Sequence, residues 1–315
     1  MLVACCNGFM EKIITKHTIS FTGFLIAFAG AILFSSKAVI VKKAFADVKV
    51  DALTLLMLRM LFSMPFYLVS AFLITKRTSN IRLSRKQFFI TIGLGLFGYY
   101  LSSLFDFIGL QYISAGLERL ILFLYPSFAV LINAFVFKQS IRKNEILALA
   151  LTYFGILVAY YGELNLDTSN PHFFLGSFLV FLCSITYSSY IVGSGQMIPQ
   201  IGANKFTAYA LLASTAGVLI HYTLRGNYDI LNTDSRLWWY GILLAVVATV
   251  APTFMLSTAL KKIGSNNVAI ISSIGPVSTI VQAHYILGEE IFTLQIIGTT
   301  LVLAGVLLLV LKTKK

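Results

Sequence analysis

Long apolar runs separated by short charged or polar gaps recur along the chain from residue 21 onward. Each is close to the roughly 20 residues an α-helix needs to cross the hydrocarbon core of a bilayer. The pattern predicts ten spans. Five lie near 21–41, 52–75, 87–108, 116–137 and 144–162, and five near 173–194, 205–224, 237–259, 266–287 and 292–311. No segment shows the two-residue alternation of a membrane barrel. The first run is long enough to stay as a span instead of being removed as a signal peptide. The "LVAC" at 2–5 resembles a lipoprotein cleavage site but lacks a preceding basic region and apolar core.

The same pattern repeats at a distance. A shift of 150 residues lays Leu110, Ile113, Pro126, Ile141 and Gly155 on Leu260, Ile263, Pro276, Ile291 and Gly305 without a gap. Five spans per half is an odd number, so the second half must enter the membrane upside down. The loop charges follow: the basic "KQSIRK" at 138–143 falls on the acidic "GEEIFT" at 288–293. The expected fold class is an all-α integral membrane protein with ten transmembrane helices in two inverted five-helix repeats. Its parts are a cytoplasmic tail 1–20, a first repeat 21–163, a second repeat 172–311 and a basic cytoplasmic tail 312–315. Inverted repeats of this kind build secondary transporters, with the site near the midplane where the halves meet.

Composition sharpens this picture. The chain is 58% hydrophobic and 11% charged, too little charge to cover a soluble protein of its size. A net charge of +12 would suggest nucleic acid in a soluble protein, but here the basic residues sit in the gaps between spans. Sixteen Lys and Arg fall on one side of the ten-span arrangement and five on the other. The positive-inside rule then places both termini in the cytoplasm and residues 163–172 outside, in a bacterial cytoplasmic (inner) membrane. Cys183 lies within a span, so Cys5, Cys6 and Cys183 form no disulfide framework. "GLGLFG" at 93–98 fits a dinucleotide fingerprint but lies inside a span, where glycines serve close helix packing. No phosphate-binding loop and no His-Glu-x-x-His motif occurs. We expect no enzyme activity, no cofactor, no metal and no nucleic-acid partner. The expected partners are a small-molecule substrate and the lipid bilayer, with a coupling proton as a further candidate. Monomer and homodimer both stay open.

Ionisable groups inside spans are the first functional candidates, because burying them is costly. They are Lys37, Arg59, Asp106 and the adjacent pair Glu118 and Arg119. At about 100° per residue, Glu118, Arg119, Tyr125, Pro126 and Asn133 share one sector of the fourth span, so a polar stripe is expected along its length. Tyr99, Ser102, Ser103 and Asp106 form a second stripe on the third span, with Thr249, Thr253 and Ser257 following on the eighth. Gln282 and His284 mark the ninth, His284 as a candidate proton carrier. Pro126 and Pro276 occupy equivalent places in the repeat and are hinge candidates. The five charged groups sum to +1, which suits an anionic or zwitterionic cargo. An alternative for Glu118 and Arg119 is a purely structural ion pair.

"LRMLFSMPF" in the second span, "GLQYISAGLERLILFLYPSFAVL" across the fourth and "ILGEEIFTLQIIGTTLVLAGVLLL" at the end resemble the EamA-like family of the drug/metabolite transporter superfamily. The resemblance covers nearly all the chain, and Gly288, Glu289, Gln295, Gly298 and Gly305 carry its most family-like part. It implies ten helices, two cytoplasmic termini, and a central cavity lined by both halves, the fourth and ninth helices among them. Members move small metabolites, amino acids among them, usually outward. Two classes of function fit: a secondary transporter of a small, amino-acid-like metabolite, and a non-transporting receptor, scaffold or lipid-flipping protein on the same frame. The inverted symmetry favours the transporter.

Overall fold

The computed structural model describes residues 21–75, 83–138, 141, 143–166, 170–225 and 234–311. The tails 1–20 and 312–315, with the LVAC segment, lie outside the described residues, as do several loop charges such as Lys76, Arg77, Arg82 and Arg142. Among the described residues there are helices and no strands. In the first half they are α1 (Phe21–Asp47), α2 (Ala52–Thr75), α3 (Arg85–Gly109), α4 (Ala115–Phe137) and α5 (Lys143–Leu166). In the second they are α6 (Phe173–Ile201), α7 (Ala203–Arg225), α8 (Arg236 to a reversal at Gly264), α9 (from there to Leu287) and α10 (Thr293–Leu311). Nine described helices are long and apolar enough to cross a bilayer, and α10 supplies a shorter apolar stretch, Thr293–Leu308. The protein is a multi-pass, all-α membrane protein, and large apolar side chains such as Phe135, Trp239 and Tyr285 stand exposed on its outside.

The repeat is written into backbone irregularities. Inside α3 the helix widens to a π-turn over Leu96–Leu101, and inside α8 it does so over Val246–Val250. α4 is interrupted at Phe123–Leu124, and α9 at Ser273–Ile274. The chain turns left-handed at Lys138 (φ 53°) after α4 and at Gly288 (φ 71°) after α9. Each pair is 150 residues apart. The packing has the same symmetry: α1 lies on α8 and α9 while α6 lies on α3 and α4, α2 meets α7, and α5 meets α10.

The helices alternate in direction, as the loop contacts show. At one end Lys42 Nζ donates to the Ile113 carbonyl at 2.5 Å, Tyr240 donates to Asp47, and Asn170 Nδ2 donates to the Tyr112 carbonyl at 2.7 Å. These join the loops after α1, α3, α5 and α7. At the other, basic end Gln87 Nε2 donates to Gln200 at 3.0 Å and α1 starts against Ile263, joining the loops after α2, α6 and α8. Helices in lipid associate through close packing of small residues. Between α5 and α10, a Cβ on Gly155 would stand 2.7 Å from the Gly298 carbonyl oxygen. Gly95 and Gly98 of the "GLGLFG" segment are pressed in the same way against Ala210 and Tyr190, so that motif serves packing.

Candidate functional site

Seven helices enclose a cavity of about 310 Å³. α1 contributes Phe34 and Lys37, α2 Arg59, α3 Tyr99, Ser103 and Asp106, α4 Arg119, Phe123 and Tyr125, α6 Tyr187, and α8 Thr253 and Leu256. α9 adds Ser272. The elements that place these groups are the irregular ones. Tyr99 lies in the π-turn of α3, a type of widening frequent at functional sites. Arg119 and Tyr125 flank the break in α4. Proline has no N–H to give to the carbonyl four residues back, so Pro126 leaves Leu122 and Pro276 leaves Ser272 without that helical bond. Both of those residues line the cavity.

The charges are sorted unevenly. Lys37 Nζ lies 2.7 Å from Asp106 Oδ2 and 3.5 Å from Glu118 Oε1, so one ammonium holds two carboxylates. Asp106 is 1% exposed, and Glu118 is fully buried behind the cavity wall. No other described hydroxyl or amide donates to either carboxylate. Arg119 is 4% exposed and forms no ion pair among the described residues. Its Nη2 donates to Ser35 Oγ at 3.2 Å, its guanidinium lies over the rings of Phe34 (5.4 Å) and Phe123 (5.7 Å), and its buried Nε has no acceptor. Arg59 is built alike: Nε donates to Thr249 Oγ1 at 2.9 Å and the guanidinium lies 5.5 Å from the Phe107 ring centre.

Along α1 and α3 the cavity lining runs from Ala31 and Gly98, on the basic-end side, to Lys37 and Asp106 and no further. Beyond that cluster Val41, Ala44, Leu55, Leu56, Phe107, Leu110, Ala115 and Leu117 are all buried and close the path. Two further carboxylates tie this closed end. Glu289 accepts from the backbone N–H of Ala115 (2.9 Å) and Gly116 (3.3 Å). Glu163 accepts from the N–H and hydroxyl of Ser114 at 3.1 and 2.7 Å. They satisfy donors that the first turn of α4 leaves open, and negative charge there suits the helix dipole.

Of the residues singled out from the sequence, the fold brings Lys37, Arg59, Tyr99, Ser103, Asp106, Arg119, Tyr125 and Thr253 to one cavity, with Glu118 directly behind. The polar stripe expected along all of the fourth span reaches the cavity only as far as Tyr125, directly after the break in α4, because that interruption changes the helical phase. Asn133, beyond the break, does not line the cavity. Gln282 donates to Ser278 Oγ at 2.8 Å, and exposed His284 donates to the Glu289 carbonyl at 2.8 Å. Neither lines the cavity. The side chain of Ser257 lies outside the described residues. The ion pair envisaged between Glu118 and Arg119 is replaced by one between Glu118 and Lys37. Adjacent helical residues point about 100° apart, and the lysine on α1 reaches the carboxylate instead. Sequence reasoning missed Ser35, the ring partners Phe34, Phe107 and Phe123, and the capping role of Glu163 and Glu289. The carboxylates near span ends were the legible signal for the last two.

The sequence profile of the EamA-like transporter family matches residues 21–161 and 174–311. "Uncharacterized transporter YcbK" of Bacillus subtilis (strain 168) is 30% identical over 282 residues, 88% of this chain and 88% of its own. A "Probable amino-acid metabolite efflux pump" of Escherichia coli (strain K12) is 24% identical over 236 residues, 69% of this chain and 74% of its own. A protein of the same description from Salmonella typhimurium (strain LT2) is 24% identical over 61% of this chain and 66% of its own. A solved crystal structure superposes with a TM-score of 0.63 over 93% of this chain and 98% of the other at 16% identity, which is a likeness of fold.

Proposed function

The chain belongs to the EamA-like transporter family, and on that premise we infer that it moves a small polar metabolite with an anionic group, as an anion or an amino-acid-like zwitterion, by alternating access. The observation that carries this is Arg119: a guanidinium 4% exposed, facing a cavity, with no carboxylate in reach among the described residues. A buried charge without a partner is costly, and an anionic cargo offsets that cost. Lys37, Arg59 and Arg119 against Asp106 and Glu118 leave one positive charge in excess. The aromatic rings of Phe34, Phe123, Tyr125 and Tyr187 give the cargo an apolar wall.

In this reading the Lys37–Asp106–Glu118 cluster is the closed gate of one state. The paired breaks in α4 and α9, each followed by a proline, are where the halves exchange conformation. Two carboxylates around one ammonium are the place for a coupling proton. With both termini in the cytoplasm of a bacterial inner membrane, the cavity faces inward, ready to load cargo for export. The relatives named as amino-acid metabolite efflux pumps support that direction.

The test is a panel of metabolites screened for thermal stabilisation of the purified protein, since a ligand stabilises the state it binds. Hits are then followed by flux into or out of vesicles. Anions or zwitterions are expected among the hits; binding confined to neutral and cationic compounds overturns the reading. Orientation is tested by one-sided reporter enzymes fused after Lys315 and within 163–172. Opposite sides are expected, and the same side for both refutes the topology.

A further inference from the structure

We propose that the cargo carries two anionic groups, one received by Arg119 and the other by Arg59. This rests on the reading of an anionic cargo and narrows its chemical class to dicarboxylates or phosphorylated carboxylates.

The starting observation is how the charges are sorted inside one cavity. Both carboxylates stand on Lys37, at 2.7 and 3.5 Å, and among the described residues neither arginine is paired with a carboxylate. A guanidinium has five N–H donors in a planar fork. Arg119 gives Nη2 to Ser35 and leaves a buried Nε without an acceptor, and Arg59 gives Nε to Thr249. Both residues are 4% exposed and both line the cavity. Phenylalanine rings lie against both guanidinium groups. A ring at this distance attracts the guanidinium charge without using its N–H donors, which stay available for two-point contact with a carboxylate or phosphate.

The two arginines are separate receptors. Arg119 sits against the break in α9, where a Cβ on Gly275 would stand 3.0 Å from its Nη2. Arg59 sits on the π-turn of α8 through Thr249. They share no hydroxyl and no ring. A single small anionic group on Arg119 therefore leaves Arg59 unmatched in the same cavity. The ammonium group of a simple zwitterion finds no free counter-charge either, because Asp106 is held by Lys37 and Glu118 is fully buried. A second anionic group on the cargo answers both points. The phenols of Tyr99, Tyr125 and Tyr187 line the same cavity.

The experiment measures binding to the purified full chain with matched pairs of probes. Dicarboxylates and phosphorylated carboxylates of three to six carbons are each compared with the same skeleton lacking one anionic group. Neutral amino acids are included as zwitterions. In at least one pair the dianion is expected to bind roughly tenfold or more tighter, the scale of one charge-assisted contact. Arg59→Gln is expected to weaken the dianion far more than its partner, bringing the two affinities together. Arg59→Lys, which keeps the charge, guards against misfolding and is expected to retain part of the preference. The proposal is overturned if monoanions or neutral amino acids bind as tightly as dianions in every pair, or if Arg59→Gln weakens both members of a pair equally. Binding of monoanions alone with wild-type strength leaves the anionic reading standing and removes this one. A panel in which no anion or zwitterion binds removes both.

Discussion

The two five-helix halves share their backbone irregularities position for position and share almost none of their charge. The π-turns, helix breaks and left-handed termini recur at a spacing of 150 residues. Yet Asp106, Glu118 and Arg119 in the first half correspond to Leu256, Val268 and Ala269 in the second, and Lys37 of "SSK" corresponds to Tyr190 of "SSY", since Gly23 and Gly176 pack alike against Ile263 and Ile113. Leu256 still lines the cavity, as do the equivalent rings of Phe34 and Tyr187. Backbone geometry serves conformational exchange and must be matched in both halves if they are to swap roles. Recognition needs one site, so one half keeps the charges and the other supplies walls. The few charges of the second half that reach inward, such as Glu289 on the start of α4, act on the first half's framework.

The largest effect that sharpens this comparison is expected at Lys37. Lys37→Met leaves two buried carboxylates without a cation and is expected to cost about 3–5 kcal/mol, read as thermal unfolding in detergent. Glu118→Gln is expected to cost less, about 1–2 kcal/mol, because Asp106 keeps the ammonium. A larger loss for Glu118→Gln than for Lys37→Met contradicts the assignment of the pairs. Adding Asp106→Asn and Glu118→Gln to Lys37→Met is expected to recover most of the lost stability and none of the transport.

At the closed end, Glu289→Gln removes a charge that accepts from two backbone donors of α4. We expect a loss of about 1–2 kcal/mol and a shift toward opening at that end, visible as faster labelling of a cysteine placed at Ala115. No change in labelling counts against a role in closure. The left-handed positions break the symmetry more gently. Gly288→Ala is expected to destabilise by roughly 1 kcal/mol, while Lys138→Gly stabilises by a similar or smaller amount; equal signs for both contradict equivalent backbones. The smallest effect belongs to His284→Ala. The residue is exposed and away from the cavity, so stability is expected to move by less than about 0.5 kcal/mol with flux unaltered.

Spans, inversion and membrane class were legible in the sequence because hydrocarbon demands long apolar runs and because charge must invert with the repeat. Buried charge marked most of the cavity for the same reason: Lys37, Arg59, Asp106 and Arg119 are too costly in lipid to be incidental. Pairing was not legible. Glu118 and Arg119 are neighbours in sequence, but a helix turns them apart, and the partner of Glu118 comes from α1, 81 residues away. The helical phase of Asn133 was read through Phe123–Leu124 as if the helix were continuous. Pro126 announced an irregularity there without giving its rotation. Ser35 and the stacked phenylalanines carry no signal in a chain this apolar, since their role exists only once an arginine from another helix lies beside them.

The most direct test of the account is made at Arg119, in vesicles, with the cargo identified by the binding panel. Flux is measured for Arg119→Leu and for Glu118→Gln with Arg119→Leu, normalised to inserted protein and paired with melting temperature. If the first-half guanidinium receives the cargo, both variants insert, Arg119→Leu melts near the unaltered protein and the double variant below it by the cost of Glu118→Gln, and both lose most of their flux. Flux near that of the unaltered protein in the double variant contradicts the account and leaves Glu118 and Arg119 with a structural role alone.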